Sequence, residues 1–130
     1  MSTYGIEQQL DMDYEQAVEK VTATLKEEGF GVLTSIDVKA TLKAKIDVDF
    51  KRYIILGACN PKLAHRALTN ENDVGLLLPC NVVVYERADG GSVVSAIDPA
   101  AMLSITGRDD LADLADEVKE KLTRAIRACG

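Results

Sequence analysis

Two amphipathic helical patterns, one near each end of the chain, set the strongest limits on its fold. Tyr14, Val18, Val21 and Leu25 recur at steps of four, three and four. Asp13 with Gln16 fits a capping box before them, and Gly29 stands where a C′ glycine belongs. The spacing predicts a helix over Asp13–Glu28. Glu27 and Glu28 oppose the dipole at its C-terminal end, at a cost of a few tenths of a kcal/mol. The second pattern places Leu111, Leu114, Val118, Leu122, Ile126 and Cys129 on one face, from about Asp109 to the last residues. Acidic residues (Asp109, Asp110, Asp113, Asp116, Glu117) fill its first half and basic ones (Lys119, Lys121, Arg124, Arg127) its second, as the macrodipole favours. A helix with one apolar face must bury it, and a sheet is the simplest cover.

The intervening sequence supplies that sheet. Tyr4, Ile6 and Leu10 among polar neighbours predict a first strand before the first helix. Phe30, Val32, Thr34 and Ile36 mark a second, ending near Asp37. Val38–Ile46 reads as a helical connector with Val38, Leu42 and Ile46 facing in, and Asp47 to Asp49 as a turn. Tyr53–Cys59 runs apolar on both faces, the mark of a central strand covered on two sides. Asn60-Pro61 then caps a short helix to Thr69. Asn70–Asp73 reads as a turn and Val74–Leu78 as an extended buried segment, because Pro79 interrupts any continuous strand. Val82–Glu86 and Ser92–Ile97 form a hairpin around Ala88-Asp89-Gly90-Gly91. Asp98-Pro99 starts a helical turn carrying Ala100 to Leu103, which Gly107 ends.

The expected class is therefore α+β, ordered β-α-β(4)-α: a curved antiparallel sheet backed on one face by two long helices. Its other face must be polar, covered by the short insertions, or shared. The run Ile54–Leu56 favours cover or sharing, so a homodimer or a ligand groove is expected there.

At 130 residues the chain reads as one domain. Only 5% of it is aromatic and Trp is absent, so the core must be aliphatic. A net charge of −6 argues against nucleic acid and against an anionic membrane surface. Three cysteines are an odd count for a disulfide framework. No signal peptide or membrane-spanning run is read at the start or elsewhere, so a reducing cytoplasm is expected.

The candidate chemistry lies at two similar junctions, Gly57-Ala58-Cys59-Asn60-Pro61 and Leu78-Pro79-Cys80-Asn81, with the only histidine, His65, between them. Cys59 ends a strand and precedes a helix N-terminus, a setting that favours a thiolate. Cys59, His65 and Cys80 are the ligands available to zinc or copper, yet C-x-x-C and a fourth ligand are missing, so no metal and no cofactor is expected. A redox pair of Cys59 and Cys80 competes with the commoner fate of such thiols, burial as small hydrophobes. Asn60 and Asn81 read first as caps and turn-formers. His65 lacks an acidic partner in the sequence, which weakens an acid/base role. Cys129 and Met102 read as core. Lys39, Lys43, Lys45, Lys51 and Arg52 form a basic cluster that suits an anionic ligand or a solvated face. Nucleotide-binding glycine loops, H-E-x-x-H and G-x-S-x-G are absent.

These two junctions, the continuation Val82-Val83-Val84-Tyr85-Glu86, and the upstream Glu27-Glu28-Gly29-Phe30-Gly31-Val32-Leu33-Thr34 and Asp37-Val38-Lys39-Ala40-Thr41-Leu42 together resemble the uncharacterised family called domain of unknown function 302. The resemblance covers nearly the whole chain. It implies a β-α-β(4)-α fold similar to one half of the TATA-binding-protein fold, without DNA binding and without an established activity. The expected function is a homodimeric module that binds a small ligand or assists another protein, without catalysis. The alternative is a thiol-based redox or metal-handling protein using Cys59 and Cys80.

Overall fold

The computed structural model describes residues 2–130. It contains β1 (Gly5–Leu10), α1 (Tyr14–Glu27), β2 (Gly31–Asp37), α2 (Val38–Ile46), β3 (Tyr53–Cys59), α3 (Pro61–Asn70), β4 (Cys80–Glu86), β5 (Ser92–Ile97), α4 (Pro99–Leu103) and α5 (Ala112–Arg127). The strands form an antiparallel sheet in the order β1-β5-β4-β3-β2. The expected α+β class and element order are therefore observed. Between β1 and β5 the chain passes α1, β2, α2, β3, α3 and β4, and the sheet stays open, with β1 and β2 at its two edges.

Local chemistry explains the helix boundaries. The Asp13 carboxylate accepts the Gln16 amide at 2.9 Å, capping α1. At the other end Gly29 takes φ +87°, and the Phe30 and Gly29 amides turn back to the Leu25 and Lys26 carbonyls. Glu28, unfavourable for the dipole, is held by Arg124 of α5 at 2.9 Å. Asn60 and Asp98 cap α3 and α4 through the Leu63 and Ala100 amides, each with Pro as first helical residue.

The core lies between the sheet and the α1–α5 layer. Val82 and Val84 of β4, Val94 and Ala96 of β5, and Leu56 and Ala58 of β3 face Val21 and Leu25 of α1 and Leu122 and Ile126 of α5. Each of these larger aliphatic side chains contributes about 1.5–3 kcal/mol by leaving water. Gly57, in the opposite phase, is required by close approach: a side chain there would run into Thr34 Oγ1 and Pro79.

Four expectations need correction. Phe30, Val32, Thr34 and Ile36 do not share one face of β2: a bulge at Leu33 leaves Val32 opposite inward-facing Ala58 but puts Thr34 and Ile36 opposite Gly57 and Ile55, in the outward phase. Asn72–Leu77 is a 3-10 turn, not an extended segment, and α3 continues through Asn70. Glu71 explains both: its amide still reaches the Ala67 carbonyl, while its carboxylate accepts the Asp73 amide. The last helix proper starts at Ala112, after a 3-10 turn at Asp109–Leu111 with no side-chain cap, because Asp110 is engaged by Arg108 at 2.6 Å. Finally, α2 buries none of its residues: Val38 and Leu42 reach only half-burial against β2 and β3, and Ile46 stays 62% exposed.

Candidate functional site

The two cysteine junctions meet at one end of the sheet. β3 and β4 pair antiparallel with Ala58 opposite Cys80, so the last residue of β3, Cys59, lies beside the first residue of β4. Alternation puts Cys59 in the opposite phase from Cys80 along the sheet. At the strand end, however, both line one apolar cavity of about 40 Å³. Its floor is Phe30, Ala58 and Cys80. Its walls are Leu63, Ala64 and Ala67 of α3, Val74 of the 3-10 turn, Pro99, Met102 and Leu103 of α4, and Leu114 and Val118 of α5. Cys59, Asn60, Ala64, Pro79 and Met102 are half-exposed and form its rim.

Polar braces hold these walls. Arg108 donates to Glu71 at 2.6 Å and to Asp110 at 2.6 Å, tying the chain after α3 to the turn before α5. Hydrogen bonds from the Arg108 side chain and the Asp73 amide hold the Glu71 carboxyl below its usual range. Lys119 of α5 pairs with Asp98 at 3.0 Å. Burial is the largest influence on Asp98 and raises its pKa, but Lys119 and the Ala100 and Ala101 amides outweigh it, and the net shift is downward.

The three thiols are free. Cys129 is satisfied: its Sγ lies 3.4 Å from Thr24 Oγ1 and donates to the Ala125 carbonyl. Cys59 and Cys80 have no hydrogen-bond partner among the described residues. Burial, with a smaller contribution from Cys59, pushes the Cys80 thiol up to about 11. Cys80 is therefore a neutral thiol at physiological pH, and Cys59, half-exposed beside the α3 N-terminus, is the accessible one.

The other expected site residues do not converge on the cavity. His65 is an exposed residue of α3 outside its lining. Asn81 is exposed on β4, opposite Gly57. Among the described residues no group of three His, Cys, Asp or Glu side chains is placed to hold a metal ion. The basic cluster lies at the opposite end of β3, spread among partners. Lys43 pairs with Asp47 at 2.9 Å and Asp49 at 3.4 Å. Arg52 pairs with Glu86 at 2.8 Å and lies over the Tyr14 ring. Lys51 sits over the Phe50 and Tyr85 rings, Lys39 donates to the Phe50 carbonyl, and Lys45 is exposed.

Two groups escaped the sequence reading. The cavity walls from α4 and α5 come from a later part of the chain than the cysteine junctions. Although Met102, Leu114 and Val118 read as apolar core positions, nothing in the sequence tied them to Cys59 and Cys80. The aromatic ladder of Phe50, Tyr53 and Tyr85 had a readable signal, a Tyr in each of two strands that pair. Tyr53 stacks on Tyr85 with ring centroids 5.4 Å apart, and Phe50 tilts against Tyr53 at 6.1 Å.

Comparison with known proteins bears on the whole chain. The family model described as "Domain of unknown function DUF302" matches residues 6–129. A crystal structure of an uncharacterized conserved DUF302 protein from Bacillus stearothermophilus is similar over 99% of this chain and 100% of its own, with 28% identity and a TM-score of 0.92. No curated protein matches. Among the described residues, no helix is long and apolar enough to cross a membrane.

Proposed function

The chain belongs to the family of domain of unknown function DUF302, and within that family we propose that it is a homodimeric binding or accessory module, without catalytic activity. Its ligand is a small apolar molecule, taken up in the cavity at the Cys59–Cys80 end of the sheet. One observation carries this reading: a cavity of about 40 Å³ whose lining is almost wholly hydrocarbon and sulfur, with a half-exposed rim. An apolar space of that kind stays dry and favours an apolar occupant over water. It is far smaller than a drug-sized pocket of roughly 300–1,000 Å³, so the ligand, or the part of it held, spans only a few heavy atoms. Free thiols suit a reducing cytoplasm. The acidic net charge argues against nucleic acid as the ligand.

Methyl NMR titration with the n-alcohols from ethanol to butanol tests the reading. The expected result is saturable shifts at Ala58, Leu63 and Met102, tighter with each added methylene until the cavity is full, and lost in Ala64→Phe. Shifts that never saturate, or that survive Ala64→Phe, contradict it.

A second reading, thiol redox chemistry, draws on the shared cavity and the unpartnered sulfurs of Cys59 and Cys80. It requires that diamide oxidation join the two in a disulfide. Under the binding reading, iodoacetamide labels Cys59 in the folded protein, Cys80 reacts only on unfolding, and diamide forms no intramolecular disulfide.

A further inference from the structure

The face of the sheet away from α1 and α5 carries an apolar patch that is only partly covered, by Lys51 over the Phe50 and Tyr85 rings and at its far end, where Val93 is buried. Cross-strand pairing places Ile36, Ile55 and Val83 in one row of that face. The next row holds Tyr53, Tyr85 and Val93, with Phe50 packed on Tyr53. Further along each row the surface turns polar, through Ser95 and Glu7 in the first and Gln9 in the second. The end of α2 and the turn after it add exposed apolar side chains at the β2–β3 end, Ile46 at 62% and Val48 at 43%. β2 itself is an edge strand, with Leu33 68% and Ile36 48% exposed. It carries no Lys or Pro, and a bulge at Leu33 interrupts its pairing.

We propose that this face, centred on Ile36, Ile55 and Tyr53 and flanked by α2, is where a second copy of the chain docks. The inference rests on the homodimer reading above and assigns its surface. Exposed area supports it: Ile36 at 48%, Ile46 at 62%, Val48 at 43% and Phe50 at 37% form a cluster, unlike apolar residues scattered singly over a surface. Charge supports it as well. The chain carries −6 overall, so two copies repel over most of their surface. At the patch itself the acidic excess is absent: Lys51 lies over the Phe50 and Tyr85 rings, and Lys43 pairs with Asp47 and Asp49. Symmetry fits too. A two-fold axis through the patch lays the Ile36–Ile55–Val83 row against its own copy, an isologous contact in which apolar meets apolar. The stacked Tyr53–Tyr85 pair supplies the rigid aromatic surface that dominates such contacts.

Sedimentation velocity over a concentration series tests the assignment. The wild-type chain is expected at twice its 14.1 kDa mass. Ile36→Glu with Ile46→Glu is expected to raise the dimer dissociation constant by about 100-fold or more, because each charge would be buried against apolar surface. Both sites are exposed in the protomer, so circular dichroism should stay that of the folded chain. Val48→Glu, outside any helix or strand, gives a second and independent variant. Leu76→Lys with Ile105→Lys, on exposed positions of a different patch, should leave the dimer intact. A dimer that survives both Glu variants, or that the Lys pair abolishes, overturns this face but leaves the homodimer reading standing. A wild-type chain that is monomeric at every accessible concentration overturns both. Monomeric wild-type protein that cosediments with phosphatidylcholine–phosphatidylglycerol vesicles, and loses this in the Glu variants, replaces the second copy with a membrane surface.

Discussion

The two faces of this sheet share five strands and differ in almost everything else. On the inner face, Leu56, Val82, Val84 and Val94 are at most 3% exposed under α1 and α5. On the outer face the cover is uneven: Ile36 of β2 is 48% exposed and Ile55 and Val83 are half-buried, while Val93 is 3% exposed. Strand alternation alone produces both phases, so the contrast is one of covering and not of strand sequence. An apolar residue left uncovered beside an equally apolar residue that is covered marks a surface with a use outside the protomer.

Substitutions should separate the faces sharply. Leu122→Ala, at 0% exposure beneath the sheet, is expected to cost about 2–5 kcal/mol in urea unfolding, since it leaves a cavity among packed neighbours. A cost under 1 kcal/mol would mean that the inner layer is loosely packed.

Cys80 gives the next largest effect, through pH. Its folded pKa is pushed up to about 11 from 9.0. A raised value contributes stability that is fully present below pH 9 and is lost as pH climbs toward 11. The loss is about 2–3 kcal/mol across that window. Cys80→Ala should flatten the stability profile between those values, while Cys59→Ala should leave most of the decline in place. Equal declines in both variants would locate the titrating group elsewhere.

Asp98→Ala removes both the α4 cap and the Lys119 pair, and should cost about 1–2 kcal/mol. Because the Asp98 pKa is depressed, its contribution is present above the usual 3.8 and is lost as pH falls through the lower folded value. Wild type and variant should therefore converge in acid. The smallest effect belongs to the outer face. Ile36→Thr should change unfolding of the protomer by no more than about 0.5 kcal/mol, a tenth of the upper estimate for Leu122→Ala.

The contrast between the faces also divides what the sequence could disclose. The two long helices, the caps at Asp13, Asn60 and Asp98 and the phase of most strands rest on local periodicity and short-range hydrogen bonds, and were readable. The phase of β2 was not, because a bulge at Leu33 turns Thr34 and Ile36 to the opposite face from Val32. The 3-10 turn at Asn72–Leu77 was not, because an apolar run of that length has no helical period and its geometry is set by the Glu71 cap. The inward face expected for α2 was half right. Val38 and Leu42 do turn toward β2 and β3, but whether anything covers Ile46 depends on what lies outside the protomer. Cys59 and Cys80 could be placed at adjoining strand ends from sequence. Their meeting in one cavity could not, since it needs α3, α4 and α5 to converge from distant parts of the chain, with Arg108 bracing Glu71 across the gap. His65 illustrates the reverse case: it is close to Cys59 in sequence, yet helix phase turns it outward, away from the lining.

Hydroxyl-radical footprinting as a function of protein concentration tests the division most directly, because it reads both regions in one sample. Tyr53 and Tyr85 report the outer face, and Met102 reports the cavity rim. The expected result is that oxidation of both tyrosines falls several-fold from dilute to concentrated wild-type protein and not at all in the Ile36→Glu, Ile46→Glu variant, while Met102 is oxidised equally throughout. Tyrosine oxidation that is independent of concentration, or protection that appears at Met102 instead, would contradict the assignment of the outer face to a second copy.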